Sequence, residues 1–234
     1  MKDDKDPALL EEKLGIKFKN ADLLTQSMVH RSYLNENPQF YLDNNERLEF
    51  LGDAVLEIAV TEYLFNNFDN PEGELTNWRA SLVNSRMLAT IATDLGLDKH
   101  LYLSRGEAKD KNTKARQYIL ADAMEAMIGA IYLDRGMRAA DNFIKKHILI
   151  HLPNILKNKL YLDPKSRFQE LAQDRRGITP SYRVLATKGP DHNKKFTVGL
   201  YLENEMISKG EGTSKQEAQV NAAEAALQLE EWQE

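Results

Sequence analysis

The 234-residue chain contains no cysteine. Disulfides, thiolate zinc sites, iron–sulfur clusters and cysteine nucleophiles are thereby excluded. No apolar run approaches the roughly 20 residues needed to cross a bilayer. The opening Met1-Lys2-Asp3-Asp4-Lys5-Asp6 has no apolar stretch behind it, so no signal peptide is expected. The expected compartment is the cytoplasm, with no membrane partner. A basic surplus is missing too: the net charge is −5. Residues 1–162 carry 21 Lys/Arg against 24 Asp/Glu, and the last 72 residues carry 10 against 12, giving −3 and −2. Any nucleic-acid site must therefore be local rather than a property of bulk charge. Internal repeats and low-complexity tracts are absent as well. What is present is ordinary globular material, 42% hydrophobic and 29% charged. That suffices for one good core plus a smaller one, in one or two domains.

The texture changes once along the chain. Up to about residue 158, apolar spacing reads as successive helices, over 7–14, 21–29, 45–65, 76–95, 116–133 and 137–157. Asn20 is a plausible N-cap, and 35–43 reads as a polar loop. No stretch there alternates with period two, so an all-α domain is expected over 7–158. A linker is placed at 159–164. Beyond it the order is a helix at 165–174, strands at 182–186, 196–202 and 206–208, and an alanine-rich helix over 214–231. That is an α+β (α-β-β-β-α) domain over 165–234.

The most informative run is Asn45-Glu46-Arg47-Leu48-Glu49-Phe50-Leu51-Gly52-Asp53. On a helix, Glu46, Glu49 and Asp53 stack on one side, while Leu48, Leu51, Val55 and Ile58 are apolar. Acids so placed repel one another and are costly to keep ionised, and a divalent cation relieves both problems. A second pair, Asp122 and Glu125, lies in an alanine-rich helix with Gly129 one turn on, which permits a close helix approach. Two such helices side by side make an all-oxygen cluster suited to Mg2+, with Mn2+ as a substitute. The chemistry implied is two-metal-ion phosphodiester hydrolysis. An acid stripe is often only a solvated face, but two stripes on two apolar helices favour a metal site. A di-iron bundle needs Glu-x-x-His pairs, absent at these positions.

Residues 45–56 resemble the signature stretch of the ribonuclease III family. Residues 120–130 resemble its second catalytic helix. Val29-His30-Arg31-Ser32-Tyr33 and Asn70-Pro71-Glu72-Gly73-Glu74-Leu75-Thr76 resemble two further family segments. The resemblance runs from about Pro7 to Trp232. It implies a homodimeric, magnesium-dependent endoribonuclease that cuts double-stranded RNA, leaves 5′-phosphate and 3′-hydroxyl ends, and processes ribosomal precursors and other structured RNAs. No small-molecule cofactor is implied. Glu49, Asp53, Asp122 and Glu125 match the metal ligands, with Asp53 and Glu125 the most essential to catalysis. Glu46 and Glu72 match supporting acids, with Glu74 an alternative to Glu72. A non-catalytic relative would have lost some of these acids, and all are present.

The second domain resembles the double-stranded-RNA-binding domain, which reads A-form shape across the minor groove. Gln169, Glu170, His192 and Lys215 match its RNA contacts, with Ser214 at the helix start and Lys194 and Lys195 in the charged loop. Residues 209–215 read as a Gly-rich loop able to cradle phosphate before a helix N-terminus. Gln216 and Gln219 stand where the family usually has lysines. Weaker binding is expected, with Lys188, Lys194 and Lys195 steering the duplex. His147 and His151 read as a packed or surface pair rather than a zinc clasp. His30 reads as structural, and the methionines as core filler. Trp78 is left open between packing and RNA contact, and the terminal glutamates read as a solvated face.

Overall fold

A computed structural model describes residues 5–110, 113–190 and 194–232. The chain divides into two compact units between Ile155 and Leu156.

The first unit is helical. Short helices α1 (Pro7–Leu14), α2 (Ala21–Ser27) and α3 (Arg31–Glu36) lead to the long α4 (Glu46–Asn67). Then come α5 (Glu72–Val83), α6 (Ser85–Asp94), α7 (Arg105–Lys109) and a second long helix, α8 (Lys114–Arg135). Helices α9 (Met137–His147) and α10 (Leu152–Lys157) close the series. The helix expected over 76–95 is broken. Asn84 adopts an extended conformation, and its side chain accepts from the Met87 N–H at 2.9 Å, which starts α6 afresh. The helix expected over 137–157 is broken too, by a 3₁₀ turn at Leu149–His151. Pro153, which cannot donate into a continuing ladder, sits at the second position of α10.

Helices α4 and α8 pack along their lengths. Two glycines set their separation. A Cβ on Gly52 would fall 1.7 Å from the Glu125 carbonyl oxygen, and one on Gly129 would fall 2.3 Å from that of Leu48. The backbones thus touch where side chains would normally stand. Leu48, Val55, Leu56, Met124, Met127 and Ile131 fill the core around the contact. The start of α4 is fixed by Asn45, which is buried: its backbone N–H reaches Val29 O at 2.9 Å and its side-chain amide reaches Ser27 O at 3.2 Å. The outer face of α4 is not buried as its sequence suggests. Phe50, Ile58 and Phe65 are 82%, 55% and 75% exposed.

The second unit holds helix α11 (Pro164–Arg176), strands β1 (Ser181–Lys188), β2 (Lys195–Leu202) and β3 (Glu205–Gly212), and helix α12 (Lys215–Leu227). The strands form one antiparallel sheet in the order β1-β2-β3. Phe168, Leu171, Leu200, Leu202, Ala222 and Ala226 form its core with Trp232. The chain end is therefore not merely a solvated face. Glu230 and Glu231 are exposed, but Trp232 is buried edge-on against Phe168 with ring centroids 4.9 Å apart. Arg176 clamps this end by pairing with Glu231 and with Glu205.

Candidate active site and RNA-binding surface

The α4–α8 contact brings acids from both helices together. Glu49, Asp122 and Glu125 each offer a carboxylate oxygen, and these oxygens lie within 4.8 Å of one another. All three side chains are half-buried. Burial pushes the Glu125 carboxyl up to about 8, and the charges of Asp53, Asp122, Glu49 and Glu57 add to it. Burial also raises Glu49, with Asp122, Glu46 and Asp53 contributing in that order. Asp122 is raised by burial alone. The cluster therefore carries more negative charge than it can hold ionised, and it offers oxygen ligands only. That donor set fits a hard divalent ion such as Mg2+ or Mn2+.

Asp53 stands at the edge of this group. It is exposed, and it is the strongest charged neighbour of Glu125 without belonging to the close trio. Glu46 is exposed at the start of α4, where it accepts from the Asn44 amide at 3.2 Å and pairs with Arg31 at 3.6 Å. Glu72 is not in the trio: it opens α5 and accepts from the Thr76 hydroxyl at 3.0 Å. Its alternative, Glu74, accepts from the Asn70 amide at 2.8 Å. Trp78 is buried, with its ring edge-on to Phe68 at 5.2 Å, which decides for packing. His30 caps α3: its Nδ1 lies 2.7 Å from the Ser32 hydroxyl and accepts the Ser32 N–H at 3.3 Å. His147 stacks on Phe143, with ring centroids 4.7 Å apart. Among the described residues no third ligand joins it and His151.

In the second unit, Gln169 and Glu170 are exposed on α11, and Glu170 pairs with Lys159 at 3.7 Å. Lys194, Lys195, Ser214 and Lys215 are exposed. His192 lies outside the described residues. Ser214 caps α12 by accepting from the Glu217 N–H at 3.1 Å. The stretch 209–215 is not all loop, because β3 runs on to Gly212 and only residues 213–214 separate it from α12. A Cβ on Gly210 would fall 2.2 Å from the Ala222 nitrogen, and one on Gly212 would fall 2.6 Å from that of Ala218. These glycines let α12 settle directly on the sheet. Gln219 has a structural partner: it accepts from Lys165 Nζ at 2.9 Å, and that ammonium lies 5.2 Å from the Tyr182 ring centroid. Sequence reasoning missed Lys165, because no local pattern pairs residues 54 positions apart.

Residues 20–152 match the family described as ribonuclease-III-like, and 164–230 match the double-stranded RNA binding motif. Fold and site thus define a helical nuclease domain followed by a double-stranded-RNA-binding domain. Over 220 residues, 94% of this chain, it is 43% identical to Ribonuclease 3 of Pelotomaculum thermopropionicum, covering 91% of that protein. It is 41% identical over the same share to Ribonuclease 3 of Dehalococcoides mccartyi, covering 92% of it. The nuclease domain of ribonuclease III from Campylobacter jejuni superposes with a TM-score of 0.55 at 41% identity, over 62% of this chain and 96% of that one. The chain belongs to the ribonuclease III family and is a ribonuclease.

Proposed function

We propose that this chain is an endoribonuclease that hydrolyses phosphodiesters of double-stranded RNA with Mg2+, leaving 5′-phosphate and 3′-hydroxyl ends. Precursor ribosomal RNA and other structured RNAs in the cytoplasm are its substrates. The observation that carries the reading is the Glu49–Asp122–Glu125 trio, with ligand oxygens within 4.8 Å on two helices joined through glycines. Glu49, Asp53, Asp122 and Glu125 would hold the metal, which supplies Lewis acidity and activation of water when bound. Glu125 holds a proton at neutral pH in the metal-free site, and it would have to be ionised to serve as a ligand. Asp53, exposed beside it, is the second catalytic carboxylate. Glu46 and Glu72 support the cleavage site. We take 7–158 as the catalytic domain and 165–234 as the RNA-binding domain.

The working form is a homodimer through the catalytic domain. The exposed Phe50, Ile58 and Phe65 on α4 support this. So does the Campylobacter relative, whose nuclease domain has a region involved in dimer formation. Gln169, Glu170, His192, Lys194, Lys195, Ser214 and Lys215 would meet the duplex.

The test is cleavage of a long labelled RNA duplex with and without Mg2+, beside Glu125→Gln. Metal-dependent shortening by the wild type alone is expected. Duplex binding without cutting, unchanged by the substitution, would overturn the nuclease reading.

A further inference from the structure

The middle of α8 is buried nearly all round. From Ile119 to Ile131 every residue is buried except Asp122 and Glu125. Over that stretch the helix reaches the surface only through its two carboxylates. One turn before Asp122 stands Tyr118, a large aromatic side chain that is 58% exposed and fills no part of the core. On a helix of 3.6 residues per turn, Tyr118, Asp122 and Glu125 fall within about 60° of arc, and Tyr118 precedes Asp122 by about 6 Å along the axis. Side chains four apart on a helix are neighbours, and each leans toward the N-terminus, so that of Asp122 lies over the turn that begins at Tyr118. Lys114, exposed at the start of α8, continues the same strip by one more turn with a positive charge. The open face of α8 is thus one strip that runs from a cation through an aromatic ring to the acid cluster.

We propose that Tyr118 holds the ribose of a nucleotide next to the scissile phosphate, with its hydroxyl hydrogen-bonded to the 2′-hydroxyl. This rests on the nuclease reading above and adds to it a residue that favours RNA over DNA at one position. The occupant follows from continuity. A strand whose phosphate reaches the carboxylates must run past their surroundings, and on α8 the neighbouring exposed side chain on that face is Tyr118. Its chemistry suits a sugar: the ring offers an apolar flank and the hydroxyl both donates and accepts. The 2′-hydroxyl does the same, and it is the group that distinguishes RNA from DNA at a given site.

The test compares the full chain with Tyr118→Phe and Tyr118→Ala on a defined RNA duplex with Mg2+. Single 2′-deoxy substitutions are placed in turn at the nucleotides flanking the cut. For the wild type, kcat/KM should fall about threefold to tenfold at one of these positions, as expected for one lost hydrogen bond. Tyr118→Phe should cut the all-RNA duplex more slowly by the same factor and be indifferent to the 2′-deoxy change at that position. Elsewhere it should respond as the wild type does. Tyr118→Ala, which also loses the ring, should fall further. The Mg2+-induced rise in Tm should be equal in all three proteins, since the carboxylates are untouched. Additive effects of Tyr118→Phe and the 2′-deoxy change at every position overturn the proposal. So does a Tyr118→Phe variant with a diminished Mg2+ response, which would make the hydroxyl a support for the acid cluster. A Tyr118→Ala variant that sediments as a monomer beside a dimeric wild type overturns it as well, by placing the ring between copies. If the wild type cuts no duplex, the nuclease reading fails and this inference with it. If the wild type cuts and both variants match it, this inference alone fails.

Discussion

Glu125 shows how one side chain couples stability to pH. Its carboxyl is pushed up to about 8 by burial and then by Asp53, Asp122 and Glu49, against an ordinary value of 4.5. Between those values the folded, metal-free protein keeps a proton that the unfolded chain releases. Stability conferred by this group is therefore full below about pH 4.5 and declines as pH rises to about 8. Glu125→Gln keeps the size and removes the titration. With metal chelated, the wild type should lose about 1–2 kcal/mol more than the variant between pH 5 and pH 8.5, after allowance for solvent screening. Thermal unfolding of both proteins at the two pH values measures this, as a difference of about 2–8 °C in Tm. Parallel pH profiles would mean that Glu125 is already ionised. Adding Mg2+ should reverse the sign for the wild type, since binding requires the ionised ligand and strengthens as pH rises.

At the scale of elements, the site depends on how closely α4 and α8 approach. Gly52→Ala would place a methyl 1.7 Å from the Glu125 carbonyl oxygen, which is backbone and cannot swing aside. The helices must part, at a cost at the upper end of the ~1–3 kcal/mol that overpacking brings. Glu49 would then separate from Asp122 and Glu125. The expected outcome is a lower Tm together with loss of the Mg2+-induced rise in Tm. A variant that is destabilised yet keeps the full metal response would show that the close approach serves packing alone. The acid stripes and Gly129 were legible in the sequence because helical spacing alone puts them on shared faces. Gly52 escaped notice because it lies inside a strong acid-apolar pattern that draws attention to its neighbours. The break at Asn84 was hidden because the apolar face continues across it, while the backbone is extended and the side chain caps α6. In the second unit the order of elements was plain from the sequence. Gly210 and Gly212 were misread because glycines before a helix look alike whether they admit a phosphate or, as here, the helix itself. The exposure of Phe50, Ile58 and Phe65 could not be read from the sequence, because apolar character does not say which chain covers a residue.

At the scale of the whole molecule, those exposed residues and the sparse positive charge set how the chain meets its partners. If α4 is covered by a second copy, Phe50→Asp should give a monomer by sedimentation while helical circular dichroism is retained; a variant that stays dimeric would place the interface elsewhere. Duplex binding is argued from charge. With a net charge of −5, long-range attraction to RNA is weak, and affinity must come from cations placed at the contact. Gln216 and Gln219 both stand on α12, but they are not equivalent. Gln216 is exposed and has no hydrogen-bond or ionic partner among the described residues, whereas Gln219 accepts from Lys165 Nζ at 2.9 Å. Gln216→Lys should steepen the salt dependence of duplex binding by up to about 0.9 in log–log slope, the effect of one added phosphate contact. It should leave the Tm unchanged. Gln219→Lys would set two ammonium groups against each other and remove a hydrogen bond, at about 1 kcal/mol or more. Its slope should steepen less, and its Tm should fall. Binding isotherms from 50 to 300 mM salt, with Tm measured alongside, separate the two variants. Equal gains in slope with no change in Tm would mean that the Lys165–Gln219 bond contributes nothing, and that both glutamines are simply missing phosphate contacts.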